Sequence, residues 1–218
     1  MLDRILPANV VVVATRRDLD AQLFPEEKWI VRQAIESRRR EFTTARACAR
    51  SALAQLGLPA QSIPVGTHGN PEWPTGIVGS ISHCDGYRAA AVTRTCDFAT
   101  IGIDAEPNRQ LPNGVLEAIA SREELERVRG LMRDAPGVCW DRLLFSIKEA
   151  VYKAWFPLTG RSLGFEDASI QVDRARQEFS AQLQVAGFTL GGTGQSSLSG
   201  RWLVGDGLVA AAIALSAT

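Results

Sequence analysis

Phe145-Ser146-Ile147-Lys148-Glu149-Ala150-Val151-Tyr152-Lys153-Ala154-Trp155 is the stretch from which the rest of the chain can be placed. Apolar residues recur at Trp140, Leu143, Leu144, Ile147, Val151, Ala154 and Trp155, the spacing of a helix with one core-facing stripe. The helix is expected to start near Trp140 and to be stopped by Pro157. Glu149 and Lys153 lie off the stripe at i and i+4, which makes their heads neighbours, with Phe145, Tyr152 and Phe156 flanking them. Taken alone, Glu-x-x-x-Lys is ordinarily a surface ion pair worth little. A second acidic element upstream changes that balance.

That element is Ile101-Gly102-Ile103-Asp104-Ala105-Glu106-Pro107. On a strand, Ile101, Ile103 and Ala105 face one way into the core, and Asp104 and Glu106 face the other way together. Two carboxylates side by side repel unless a cation lies between them or the face is wet. Their hard oxygens suit magnesium or manganese. Joined to the Glu149–Lys153 helix, the pair becomes a candidate metal–phosphate site.

Composition sets the frame. The 218 residues are 45% hydrophobic and 22% charged, with Lys plus Arg balancing Asp plus Glu at 24 each. No general affinity for polyanions follows, so nucleic acid is not an expected partner. The four cysteines (Cys48, Cys84, Cys96, Cys139) show neither metal-ligand spacing nor a disulfide framework, which points to a reducing, cytoplasmic setting. The first residues, through Pro7, are too short and broken for a signal peptide, and no apolar run approaches a membrane span.

Along the chain, 10–14 reads as a buried strand, 26 to about 37 as a helix, and about 38 to 56 as a second helix closed by Gly57 and Pro59. Arg46 and Arg50 share a face of that helix and, with Arg38, suggest a basic wall. Residues 59–74 form an ordered turn-rich loop. Residues 79–83 and 87–93 form a hairpin about Cys84-Asp85-Gly86, with His83 at the strand end. Helices follow within 111–130, with Ser121 as N-cap and Glu123 and Glu124 in the first turn. Strands are expected at 168–172, 179–185, 201–204 and 208–215, and a mobile Gly/Ser-rich loop at 191–200.

Asp85-Gly86-Tyr87-Arg88-Ala89-Ala90-Ala91-Val92 is echoed by Asp206-Gly207-Leu208-Val209-Ala210-Ala211-Ala212-Ile213. Each ends a strand–turn–strand unit after a helix-rich segment, which implies duplication. The expected fold is α/β (α+β): two pseudo-twofold halves, 1–106 and 107–218, each with helices on a small, mostly antiparallel sheet. The acidic strand closes the first half, the Glu149 helix belongs to the second, and the site lies in the cleft between them.

Gly102-Ile103-Asp104-Ala105-Glu106 and Lys148-Glu149-Ala150-Val151-Tyr152-Lys153-Ala154-Trp155 resemble the two signatures of the 4′-phosphopantetheinyl transferase superfamily. The 38–50 segment, Ser82-His83-Cys84 and Trp155-Phe156-Pro157-Leu158-Thr159 are similar to its siderophore-synthase and mycobacterial-type branch. The resemblance implies magnesium-dependent transfer of 4′-phosphopantetheine from coenzyme A to a serine of an apo acyl or peptidyl carrier protein, in a fatty-acid, polyketide, peptide or siderophore pathway. Adenosine 3′,5′-bisphosphate is the product released. It implies Asp104, Glu106, Glu149 and the carbonyl of Ala105 as metal ligands. Asp104, Glu149 and Lys153 become catalytic, Glu149 as the candidate base and Lys153 on the phosphates. Coenzyme A contacts fall to Arg38, Arg46, Thr67, His68, Ser82 and His83 together with those three. Where relatives carry lysines before the Gly-x-Pro turn, this chain has Val65, Thr67 and His68, so coenzyme A binding is expected to be weaker or more pH-dependent. A monomer suffices. The competing functions are a non-catalytic coenzyme A- or carrier-binding protein and a magnesium-dependent pyrophosphate hydrolase.

Overall fold

The computed structural model describes residues 1–217. In chain order the elements are β1 (Val11–Thr15), α1 (Pro25–Ile30), α2 (Glu36–Gln55), β2 (Ile77–Cys84), β3 (Tyr87–Arg94) and β4 (Phe98–Pro107). Then come α3 (Val115–Ile119), α4 (Arg122–Asp134), α5 (Trp140–Thr159), β5 (Ala168–Asp173), β6 (Glu178–Leu183), β7 (Phe188–Leu190), β8 (Thr193–Gln195), β9 (Ser197–Gly205) and β10 (Leu208–Ser216). The expected α+β class holds.

Two sheets carry the fold, in the orders β1-β3-β2 and β4-β10-β9-β6-β5, with every pairing antiparallel. The alanine runs lie at the middle of each. Ala89 and Ala91 of β3 and Ala210 and Ala212 of β10 face one another's sheets, in a core shared with Ile101, Ile103 and Ala105. Ala90 and Val92 turn the other way, against Ala49, Ala52 and Leu53 of α2. Val209, Ala211 and Ile213 turn toward Ile147, Val151 and Ala154 of α5. The layers are therefore helix, sheet, sheet, helix, and small residues let them close tightly. Between β4 and α5 the close approach is at Gly102, where a Cβ would stand 2.0 Å from the Ala150 carbonyl oxygen.

The echo is realised as strand–helix–hairpin in both halves: β1, α2, β2, β3 and then β4, α5, β9, β10. In each, the opening strand pairs with the closing strand of the hairpin, β1 with β3 and β4 with β10. Strand β4, expected to close the first half, thus opens the second. It still touches β2, through side chains: Ser80 Oγ accepts from Ile103 N–H at 3.1 Å and Ser82 Oγ from Ala105 N–H at 3.0 Å.

Three local expectations are corrected. The helix expected over 26–37 is the short α1 and a turn, with α2 beginning at Glu36. Pro157 does not stop α5, because proline removes a donor but keeps a helical φ; Gly160, at φ 63°, ends it. The 191–200 loop is largely strand, with β7 and β8 paired and β9 beginning at Ser197. The Ser121 cap holds, its Oγ accepting from Glu124 N–H at 3.2 Å. Among the described residues no helix is long and apolar enough to cross a membrane.

Candidate active site

Strand alternation delivers the acidic pair as expected. Ile101, Ile103 and Ala105 are wholly buried, and Asp104 and Glu106 turn toward α5. Where they emerge, α2, the 64–74 loop, β2 and α5 enclose a cavity of ≈ 700 Å³. Asp104, Glu106, Glu149 and Lys153 line one side, and Arg38, Arg46, His68 and His83 line the other.

Asp104 is almost fully buried. Its Oδ1 accepts from Lys153 Nζ at 2.7 Å and from Ser82 Oγ at 3.2 Å; its Oδ2 is buried with no partner. Lys153 thus turns to Asp104 rather than pairing with Glu149 along the helix. Glu106 Oε2 accepts from Arg142 Nη1 at 3.2 Å. Burial first, and then the charge of Asp104, push the Glu106 carboxyl up to about 7, against the pull of Arg142. Glu149 is raised as well, by burial, with Lys153 opposing and Asp104 adding. A raised carboxylate beside a lysine, lining a cavity, is suited to taking a proton.

The opposite side is cationic. Arg38 Nη1 donates to His83 Nε2 at 2.7 Å, and burial followed by the Arg38 charge lowers the His83 pKa, so the ring is neutral. Arg46 is buried, donates to the Ile63 carbonyl at 2.9 Å and stacks over Phe42. Burial lowers it to about 10, which leaves it charged at neutral pH. Arg50 is not part of the wall: its Nη1 reaches both carboxylate oxygens of Glu27 at 2.9 Å. Sequence reasoning missed Glu27, which is wholly buried and also accepts from the backbone N–H of Phe24 and Ile63. It ties the loop after α2 to that helix, and its only local sign was a place in the first turn of α1.

Two expected coenzyme A contacts lie elsewhere. Ser82 is buried with its hydroxyl engaged by Ala105 and Asp104, so it orients the acidic strand. Thr67 is exposed and bonds His68 Nδ1 at 3.0 Å; the His68 ring lies 4.9 Å from Phe156 of α5 and bridges the cavity. Phe145, Tyr152 and Phe156 line the cavity beside Glu149, as expected. Lys148, one residue from Glu149, faces away. It pairs with Glu124 at 2.9 Å, with both side chains at most 2% exposed, and donates to the carbonyls of Phe165 and Ala168.

As they stand, no three His, Cys, Asp or Glu side chains among the described residues are gathered closely enough to hold a metal ion. Lys153 and Arg142 hold the two strand carboxylates instead. The donor set nevertheless fits a hard divalent cation. It offers carboxylate oxygens, one of them buried without a partner, and the Ala105 peptide lies on the β2 side of the strand, where its N–H meets Ser82.

Residues 26–93 match the family described as the 4′-phosphopantetheinyl transferase N-terminal domain, and residues 100–211 match the 4′-phosphopantetheinyl transferase superfamily. The chain is 50% identical over 195 residues to the 4′-phosphopantetheinyl transferase Svp of Streptomyces mobaraensis, covering 89% of this chain and 79% of the relative. It is 46% identical over 225 residues to the 4′-phosphopantetheinyl transferase Npt of Nocardia iowensis, covering 98% and 99%. To the 4′-phosphopantetheinyl transferase PptT of Mycobacterium tuberculosis it is 48% identical over 195 residues, covering 88% and 85%.

Proposed function

Because the chain belongs to the 4′-phosphopantetheinyl transferase superfamily and is an enzyme of that class, we propose that it transfers 4′-phosphopantetheine from coenzyme A to a serine hydroxyl of an apo acyl or peptidyl carrier domain. The observation that carries this reading is the buried, unpartnered oxygen of Asp104 beside Glu106, Glu149 and Lys153, in a cavity whose far side is cationic.

In this reading Arg38, Arg46 and His83 hold the nucleotide phosphates, guanidinium forks matching phosphate oxygens. Asp104, Glu106, Glu149 and the Ala105 carbonyl would hold a divalent cation, magnesium or manganese, which would supply positive charge to offset that of the pyrophosphate. The carrier serine oxygen attacks the phosphorus that bears pantetheine, and the bond from that phosphorus to the oxygen bridging the two phosphates breaks. Adenosine 3′,5′-bisphosphate leaves. Glu149, on the α5 side of the cavity, takes the serine proton. Lys153, a quarter exposed and on a flexible stem, exchanges Asp104 for the departing phosphate and stabilises its charge. One chain supplies both sides of the cavity, so a monomer is sufficient, and coenzyme A and carrier domains make the cytoplasm the setting.

The test is incubation with coenzyme A, magnesium and a panel of apo-carriers from fatty-acid, polyketide and peptide synthases, read by intact mass. A gain of one phosphopantetheine on at least one carrier is the expected result. Coenzyme A bound without any carrier modified would favour a binding protein, and bisphosphate released without a carrier would favour a hydrolase.

A further inference from the structure

Arg142 has no part in the chemistry above, yet three of its nitrogens are committed. Nη1 donates to Glu106 at 3.2 Å, Nε to the Arg109 carbonyl at 3.0 Å and Nη2 to the Gln110 carbonyl at 3.2 Å. Its neighbours bind the same segment: Asp141 accepts from Leu111 N–H at 2.8 Å, and Asn108 accepts from Cys139 N–H at 2.9 Å and donates to the Gly137 carbonyl at 3.1 Å. The chain leaving β4 is thereby stitched to the first turn of α5, and one guanidinium joins that stitching to an acidic residue of the cavity.

The two cations that meet the acidic pair differ in freedom. Lys153 reaches Asp104 with a single ammonium on a four-carbon stem. The Arg142 fork is planar, and its other two bonds go to backbone carbonyls, so it cannot follow Glu106 into the cavity. It holds Oε2 of Glu106, a residue that itself lines the cavity. Unheld, Glu106 would swing away from Asp104, since like charges on one strand face repel.

We infer that Arg142 is a positioning residue that fixes Glu106 by one oxygen, so that the other is directed at the cation it shares with Asp104. Partners behind a ligand commonly set metal affinity in this way. The inference rests on the metal-dependent reading of the site given above.

The test is Mn2+ binding to the full-length protein, with coenzyme A present, followed by electron paramagnetic resonance. Arg142→Met should weaken Mn2+ binding by roughly 10- to 100-fold. Arg142→Lys, which restores the charge but not the fork, should fall between. Asn108→Ala loosens the same segment and leaves Glu106 held, so it should bind Mn2+ as wild type does. Coenzyme A affinity in EDTA should be unchanged in all three, which reports an intact fold; should Arg142→Met fail that check, Arg142→Lys carries the test. Wild-type Mn2+ affinity in the folded Arg142 variants, or an equal loss in Asn108→Ala, overturns the inference alone. No Mn2+ binding by wild type overturns both the inference and the metal part of the proposed function.

Discussion

Glu149 lies one residue from Lys148 on α5, and the two do unrelated work. Lys148 is spent on a buried ion pair with Glu124, whereas Glu149 faces the cavity with a raised pKa. Replacing Glu149 by Gln keeps its shape and removes both its base and its charge at the cation, so turnover should fall by roughly 100-fold or more while coenzyme A binding in EDTA, carried by the basic side of the cavity, persists; steady-state kinetics beside equilibrium binding in EDTA checks both. Glu106 supports a second prediction. Its carboxyl is raised from 4.5 to about 7, so the folded, cation-free protein holds a proton that the unfolded chain releases. That contribution is fully present below pH 4.5 and is lost as pH rises through about 7, on the order of 3 kcal/mol. In EDTA, wild type should lose more stability than Glu106→Gln between pH 5 and 8, measured by urea unfolding. Asp104, Glu106, Glu149 and Lys153 were legible because strand and helix periods place them locally. Arg142 and Glu27 were not, since their partners lie far along the chain and no period records such a meeting.

At the scale of elements, α5 sits against β4 because Gly102 gives it room. A methyl group there would collide with helix backbone, which cannot rotate aside as a side chain can. Gly102→Ala should cost about 1–3 kcal/mol or more and lower the melting temperature, with activity falling as α5 is pushed from the acidic strand. Lys148→Met should cost about 3–5 kcal/mol, because Glu124 is left as an unpaired buried charge, and Glu124→Gln in the same chain should recover part of that loss; denaturant unfolding of the three variants measures it. The α5 stripe was plain from sequence, but its end was not, since Pro157 forgoes one backbone hydrogen bond without leaving helical φ, and the helix runs on to Gly160. The β7–β8 hairpin was hidden by glycine and serine, which read as loop although Gly191 and Gly192, with φ of 54° and 80°, are the turn that makes the hairpin.

For the whole molecule, the join between the two sheets runs through serine hydroxyls. Ser80 and Ser82 stand where strand backbone would otherwise bond Ile103 and Ala105. The double variant Ser80→Ala, Ser82→Ala leaves two buried N–H groups unmet and should lose about 2–6 kcal/mol, measured by calorimetry. The duplication itself was legible from the echoed alanine runs. Where one copy ends was not, because each opening strand pairs with the last strand of its own unit, a long-range choice that sequence order conceals.

The register of those copies carries one more implication. Aligning the two alanine runs sets Val13 opposite Ala90 where Asp104 stands opposite Ala211, and Thr15 where Glu106 stands. By the same alignment Ser82 and His83 correspond to Leu203 and Val204. A twofold scaffold would admit an elongated ligand head-first or tail-first with equal ease. Furnishing only one of the two equivalent corners with acid, hydroxyl and imidazole abolishes that ambivalence, and gives a symmetric framework a one-way grip.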